Sequence, residues 1–373
     1  MNLRDLVKPS VLKQPTYQPG RPIERVAADF GLDPGAVLKL ASNENPLGPS
    51  PKAVAAIKKA AEEVHLYPDG GSTELRERIA RERGLEPSQI IVGNGSNEIF
   101  ELFGHVFIKP GDACVMSQYA FIVYKLVTLL FEGDVVEVPM KDWTHDLEAM
   151  SAAVTDRTRA VFVASPNNPI GTANRTEELL RFAESLPEHV IFCFDEAYTE
   201  YLDEPPDLRP LIAAGRKILC TRTFSKVYGL AGLRLGYGYG SDELIGYLQQ
   251  VREPFNVNRP GQAAALAALD DADWVLQARR ENAQGRAWLA AALRELDLEV
   301  IEGQSNFVVA RFDDAMGTFE NLQRAGVIVR PLAPYGLPEF LRISVGTSAQ
   351  NQQMLRTLEA LLTGTVADAG LRT

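Results

Sequence analysis

The chain has 373 residues, 46% hydrophobic and 23% charged, with 38 Lys and Arg against 49 Asp and Glu for a net charge of −11. At about 100–200 residues per domain, this length suits one large domain with a lesser one, and the apolar fraction excludes general disorder. The acidic balance argues against a nucleic-acid surface, which carries a basic stripe, so an anionic ligand has to be met by local arginines.

In chain order, Met1-Asn2-Leu3-Arg4-Asp5-Leu6-Val7-Lys8 has no apolar signal core. No later stretch approaches the ~18 uninterrupted apolar residues of a membrane span. A soluble, cytoplasmic protein with no membrane partner is expected. Gln89-Ile90-Ile91-Val92 reads as a strand leading through Gly93-Asn94-Gly95 into a helix with Ile99, Phe100, Leu102, Phe103, Val106 and Phe107 on a broad apolar face. Strand-like runs follow at Cys114-Val115-Met116, Val135-Val136-Glu137-Val138, Ala160-Val161-Phe162-Val163, Val190-Ile191-Phe192-Cys193-Phe194 and Lys217-Ile218-Leu219-Cys220. Helical patterns such as Thr176 to Ser185 separate them. Near-continuous apolar runs so separated indicate strands buried on both faces of a mostly parallel sheet.

After residue 270 the texture changes. A helical stretch around Trp288, Leu289 and Leu293 precedes the strand-like Leu298-Glu299-Val300-Ile301, Asn306 to Ala310, Val327-Ile328-Val329 and Leu341 to Val345, then a helix carrying Met354, Leu355, Leu358, Leu361 and Leu362. The expected fold is an α/β large domain over 46–265, its mostly parallel sheet flanked by helices. A smaller α+β domain is expected over 266–373, joined by an N-terminal arm, 1–45.

Cys114, Cys193 and Cys220 lie inside strand-like runs, suiting small buried thiols. Their odd count and lack of paired spacing argue against a disulfide framework. His65, His105, His145 and His189 show no ligand spacing, so no metal is expected and no role is assigned to them.

Ligands of open α/β sheets bind beyond the carboxyl ends of the strands, so polar residues just after strand runs carry the functional weight. Gly93-Asn94-Gly95-Ser96-Asn97-Glu98 offers the backbone N–H groups of a helix N-terminus to an anion. Glu98 stands where a dinucleotide fingerprint has its third glycine, and a single phosphate fits better than a nicotinamide cofactor. In Ser165-Pro166-Asn167-Asn168-Pro169-Ile170-Gly171 a rigid turn fixes Asn168, whose amide can donate to an oxygen. Asp195 follows a five-residue apolar strand, and a carboxylate so placed needs a cationic partner such as a protonated pyridine nitrogen. In Thr223-Phe224-Ser225-Lys226 to Arg234, two hydroxyls, an amine and a guanidinium suit a phosphate-bearing aldehyde held as an imine.

Together with Tyr17-Gln18-Pro19-Gly20, Ser42 to Gly48, Leu66-Tyr67-Pro68-Asp69-Gly70 and Leu341 to Thr347, these phrases span nearly the whole chain. It resembles the pyridoxal-phosphate aminotransferases of fold type I, most closely the histidinol-phosphate aminotransferases. Ile170 departs from the family's usual threonine. The resemblance implies pyridoxal 5'-phosphate as cofactor. Lys226 would hold its aldehyde and move a proton, Asp195 would keep its ring nitrogen protonated, Tyr198 and Asn168 would hold its ring hydroxyl oxygen, and Tyr119 would stack on the ring. Gly95, Ser96, Asn97, Thr223, Ser225 and Arg234 would take the cofactor phosphate, with Tyr67 reaching in from the neighbouring subunit of a homodimer.

For the substrate, the resemblance implies Tyr17, Asn43, Arg330 and Arg342. The implied reaction joins a phosphorylated amino alcohol, L-histidinol phosphate, to 2-oxoglutarate, giving imidazole-acetol phosphate and L-glutamate in histidine biosynthesis. Two guanidiniums balance a phosphate dianion better than a carboxylate. A broad aromatic amino-acid aminotransferase and a phosphothreonine decarboxylase would keep the same cofactor residues and stay open. A pyridoxal-phosphate-binding transcriptional regulator would need a DNA-binding module, for which the residues before the large domain leave no room.

Overall fold

A computed structural model describes residues 2–14, 16 and 20–363. After an early strand β1 (Leu38–Lys39) come seven strands of one sheet: β2 (Ile90–Gly93), β3 (Ala113–Ser117), β4 (Asp134–Val138), β5 (Thr158–Ala164), β6 (Ile191–Asp195), β7 (Ile218–Thr223) and β8 (Gly236–Tyr239). Their order is β2-β8-β7-β6-β5-β3-β4. Strands β3 to β7 pair in parallel, and β8 runs antiparallel to both β7 and β2. Six of the seven strands therefore end at the same edge, and β8 begins there.

The period-2 alternation of a strand divides the apolar runs between two cores. Val115, Val161, Val163, Phe192, Phe194 and Cys220 pack on one face, and Cys114, Met116, Phe162, Cys193 and Leu219 on the other. Each fully buried Phe or Leu contributes roughly 1.5–3 kcal/mol. The three thiols are buried and unpaired, as expected.

Two readings of the sequence are corrected. Strand β4 is not buried on both faces: it is the sheet edge, with Asp134 and Glu137 exposed, because charges punctuate its apolar run. Strand β8 was missed, because Gly236-Tyr237-Gly238-Tyr239 has half its positions without a side chain.

The second sheet contains β9 (Val300–Ile301), β10 (Phe307–Arg311), β12 (Arg330–Pro331) and β13 (Phe340–Ser344) in the antiparallel order β12-β13-β10-β9, while β11 (Val327–Ile328) pairs in parallel with β1. Alternation again assigns the faces. Val308, Leu341 and Ile343 turn to Leu289 and Leu293 of helix Ala272–Glu295 and to Met354 and Leu358 of helix Ser348–Leu362. Phe307, Val309 and Phe340 turn the other way and meet Ile170 and Tyr198 at the edge of the first sheet. Arg342 alternates with Leu341 and Ile343, so it shares that inward face. No helix among the described residues is long and apolar enough to cross a membrane, and no cluster of three or more metal-ligating side chains is found among them.

Candidate active site

A cavity of about 380 Å³ opens where the strand ends of the first sheet face the second. Of the residues singled out in the sequence, Asn43, Gly95, Ser96, Asn97, Asn168, Asp195, Tyr198, Thr223, Ser225, Lys226, Arg234, Arg330 and Arg342 all line it. They come from segments up to about 300 positions apart in sequence, gathered by a shared strand direction.

Lys226 lies three residues beyond β7. Its Nζ donates to the Ser42 carbonyl at 3.2 Å and stands 5.7 Å from the centre of the Tyr198 ring. Burial, then the guanidinium of Arg342, lower its pKa from 10.5 to about 8; Arg234 adds to this, while Glu44 and Asp195 oppose it. The amine thus yields its proton far more readily than a surface lysine.

Asp195 is the last residue of β6 and is buried. Its Oδ1 accepts from Thr221 Oγ1 at 3.1 Å and from the Ala197 N–H at 3.1 Å, and its Oδ2 from the Tyr124 hydroxyl at 2.7 Å. Burial raises the carboxyl pKa, while these donors and the Lys226 charge pull it back down.

The residues expected to take a phosphate gather where β2, β7 and β8 meet. Helix Gly95–Phe107 starts at the edge of the sheet, and its cap residue Asn94 directs its side-chain amide to the Asn256 carbonyl instead of to the first turn. Glu98, which stands where a dinucleotide fingerprint has its third glycine, folds back to accept from the Asn94 N–H and from Asn256 Nδ2 and so closes the turn. Gly95 has φ +73°, and a Cβ there would lie 2.8 Å from Arg234 Nη2, so a glycine lets the guanidinium close over the helix terminus. Arg234 also donates to Ser225 Oγ at 3.4 Å, and Thr223 Oγ1 accepts from the Ser225 N–H at 3.0 Å. Gly95, Ser96, Asn97, Thr223, Ser225 and Arg234 thus bring backbone N–H groups, hydroxyls and one guanidinium to one cavity.

The opposite wall belongs to the second sheet. Arg330 and Arg342 are direct antiparallel partners on β12 and β13, which brings Cβ atoms within about 4.5–5.5 Å. Arg342 donates to Asn168 Oδ1 and, at 2.8 Å, to the Ala41 carbonyl. Tyr198 accepts from Asn43 Nδ2 at 2.8 Å, and burial pushes its hydroxyl up to about 12, so it remains a proton donor. Ile170 is packed with Tyr198 and Phe307, consistent with an apolar residue replacing threonine there.

Three residues lie off these walls or outside the description. Tyr119 turns its ring toward Trp143, with centroids 6.2 Å apart. Tyr67 is 77% exposed and stacks on Phe255 at 4.6 Å. Tyr17 falls outside the described residues. The sequence reading missed Tyr124, Thr221, Ser42 and Glu44. Thr221 carried a signal as the residue two before Thr223 on the same strand face, and Ser42 and Glu44 fall within the Ser42 to Gly48 stretch that carries the resemblance. His145, which drew no role, joins two strand ends: its Nδ1 meets Ser117 Oγ and its Nε2 meets the Ala164 carbonyl at 2.8 Å. Burial lowers its pKa to about 4.

Residues 36–358 match the family described as aminotransferase class I and II. The chain is 45% identical over 363 residues to a histidinol-phosphate aminotransferase of Akkermansia muciniphila, covering 97% of this chain and 100% of the relative. It is also 45% identical over 360 residues to histidinol-phosphate aminotransferase 2 of Pseudomonas fluorescens strain Pf-5, covering 96% and 97%. The crystal structure of histidinol-phosphate aminotransferase from Sinorhizobium meliloti in complex with pyridoxal-5'-phosphate superposes with a TM-score of 0.88 at 27% identity, over 96% of this chain and 98% of that one.

Proposed function

From the premise that the chain belongs to the class I and II aminotransferase family, we propose that it moves the amino group of L-histidinol phosphate to 2-oxoglutarate, giving imidazole-acetol phosphate and L-glutamate. The carrying observation is the pair of arginines placed directly opposite one another on β12 and β13, both lining the cavity that holds Lys226. Like charges directly opposite on a sheet are destabilising, and a dianionic phosphate offsets both where a carboxylate offsets one. The substrate phosphate therefore belongs on this wall, with its amine toward Lys226.

The residues present fit pyridoxal 5'-phosphate. The cradle of Gly95, Ser96, Asn97, Thr223, Ser225 and Arg234 is a phosphate donor set free of carboxylates, and Asp195 is a buried carboxylate in need of a cation. When bound, the cofactor supplies an electron sink for the pair of electrons left when the substrate Cα–H bond ionises. Lys226 would carry the cofactor aldehyde and then, as a free amine, take the proton from the substrate Cα and deliver it to the former aldehyde carbon. Asp195 would keep the ring nitrogen protonated. Tyr198 would donate to the ring hydroxyl oxygen, and Asn168, whose Oδ1 is engaged by Arg342, would have its amide hydrogens available for the same oxygen. The charge-assisted bonds to phosphate contribute roughly 1.5–3 kcal/mol each.

Two wider features belong to the same proposal. Residues 46–265 would form the cofactor-holding domain, with 1–45 and 266–373 as the arm and smaller domain. The functional unit would be a homodimer, since Tyr67 is directed away from its own cavity and stacked with Phe255 on the surface. Three buried, unpaired thiols suit a reducing cytoplasm.

Steady-state kinetics on histidinol phosphate and on phenylalanine test the substrate. Histidinol phosphate should have the higher kcat/KM, and Arg330→Ala should lower that value about 10- to 100-fold, as the loss of one charge-assisted contact implies. A preference for phenylalanine that Arg330→Ala leaves untouched would overturn the assignment.

A further inference from the structure

Tyr124 sits in helix Ile122–Leu130, an apolar segment with no site motif, yet it lines the cavity. Its ring is fixed on three sides: stacked on Phe162 with centroids 5.0 Å apart and 9° between planes, and edge-on to Phe100 at 5.1 Å and Phe121 at 5.7 Å. The hydroxyl is thereby held 2.7 Å from Asp195 Oδ2. Burial and the Asp195 carboxylate push the Tyr124 pKa well above the ordinary tyrosine value, so it stays a donor throughout the working range.

A carboxylate offers about four lone-pair sites. Thr221 and the Ala197 N–H occupy the two of Oδ1, and Tyr124 occupies one of Oδ2. A further donor must therefore share Oδ2 with Tyr124. That donor, on the functional reading above, is the protonated ring nitrogen of the cofactor.

We propose that Tyr124 is a positioning residue for the reaction: its hydroxyl aims Asp195 Oδ2 and lowers that oxygen's proton affinity, so that the shared proton resides on the ring nitrogen. A hydrogen bond to the ionised form of an acid favours that form. Without it, Asp195 becomes more basic and draws the proton to itself, which leaves a neutral ring that stabilises carbanion charge less well. The inference rests on the proposed cofactor chemistry but concerns one hydroxyl within it.

Tyr124→Phe keeps the ring and its three aromatic contacts, so it isolates the hydroxyl. The test compares wild-type and Tyr124→Phe holoenzymes loaded with pyridoxal phosphate labelled with ¹⁵N at the ring. Three quantities are read: the nitrogen chemical shift, kcat and KM for histidinol phosphate, and apoprotein melting. The expected result is a nitrogen resonance moved toward the unprotonated value, kcat lowered about tenfold with KM changed less than about twofold, and a melting temperature within a few degrees of wild type. An unmoved nitrogen resonance overturns the inference, whether kcat is unchanged or falls together with the melting temperature. A wild-type protein that binds no labelled cofactor overturns the functional reading itself, a result distinguishable from either.

Discussion

At the scale of a single residue, the site depends on an amine that is easy to deprotonate, and the fold achieves this by charge placement as well as burial. Lys226 is brought down from 10.5 to about 8 by its surroundings. Between those values the unfolded chain holds a proton that the folded chain has released, so stability rises with pH across that window. Below about pH 8 both states are protonated and the folded apoprotein carries the whole penalty, at most about 3 kcal/mol at about 1.36 kcal/mol per pH unit. Lys226→Met substitutes an uncharged chain of similar reach. Its apoprotein should be more stable than wild type by up to that amount at pH 7, and the advantage should fade toward pH 10.5. Urea midpoints at the two pH values decide it, and an equal advantage at both would show that the amine is not strained by its neighbours. Arg342 and Arg234, whose charges help destabilise the ammonium ion, are the same guanidiniums assigned to anions in the proposed reading, so one arrangement would serve both proton transfer and phosphate binding.

At the scale of an element, β8 shows why some of the architecture was legible in the sequence and some was not. The parallel strands announced themselves as apolar runs because both of their faces are covered, and Asp195, Thr223 and Lys226 stood out as polar residues placed where those runs end. Strand β8 gave no such signal, because its glycines serve close approach. A Cβ on Gly236 would lie 2.5 Å from the Ser96 nitrogen and 2.7 Å from the Gly95 carbonyl carbon, backbone atoms that cannot swing aside. Gly236→Ala should therefore push β8 off the helix terminus, destabilise the protein by about 1–3 kcal/mol and weaken pyridoxal phosphate binding by tenfold or more, on the order of one lost charge-assisted contact. Gly246, exposed in helix Asp242–Val251 with no atom within 4 Å of its would-be Cβ, is the control: Ala there should stabilise by about 0.5–1 kcal/mol. Urea denaturation and cofactor titration of both variants separate the two effects, and a Gly236→Ala protein as stable and as tight-binding as wild type would remove β8 from the cradle. Tyr124 and Ser42 were illegible for different reasons. Tyr124 sits inside an apolar helix and its partner is 71 positions away, while Ser42 acts through a backbone carbonyl that every residue possesses. Tyr119 shows the converse, since a motif gives a residue's position but its neighbours decide which way its ring turns.

At the scale of the whole molecule, the question is whether one chain holds a complete site. The proposed phosphate cradle is built from within the chain, but Tyr67 lies on the surface stacked on Phe255, and Val64 and Leu66, its near neighbours in sequence, are exposed as well. Exposed apolar side chains that include a stacked aromatic pair are the composition of an interface core. If two copies meet there about a twofold axis, each Tyr67 is presented to the other copy's cradle, and every site takes its lysine from one chain and this tyrosine from its partner. Subunit mixing tests this directly. Lys226→Ala alone should be inactive, and Tyr67→Ala alone should bind the cofactor poorly and turn over slowly. Co-refolding the two in equal amounts places half the chains in mixed dimers, each holding one site with both defects and one with neither, so about a quarter of wild-type activity should return. A monomer with a self-contained site cannot recover in this way, because each of its sites keeps one of the two defects. Mixing that restores nothing, while sedimentation shows dimers forming, would place Tyr67 outside the partner's site and leave the cradle of Gly95, Ser96, Thr223, Ser225 and Arg234 to hold phosphate alone.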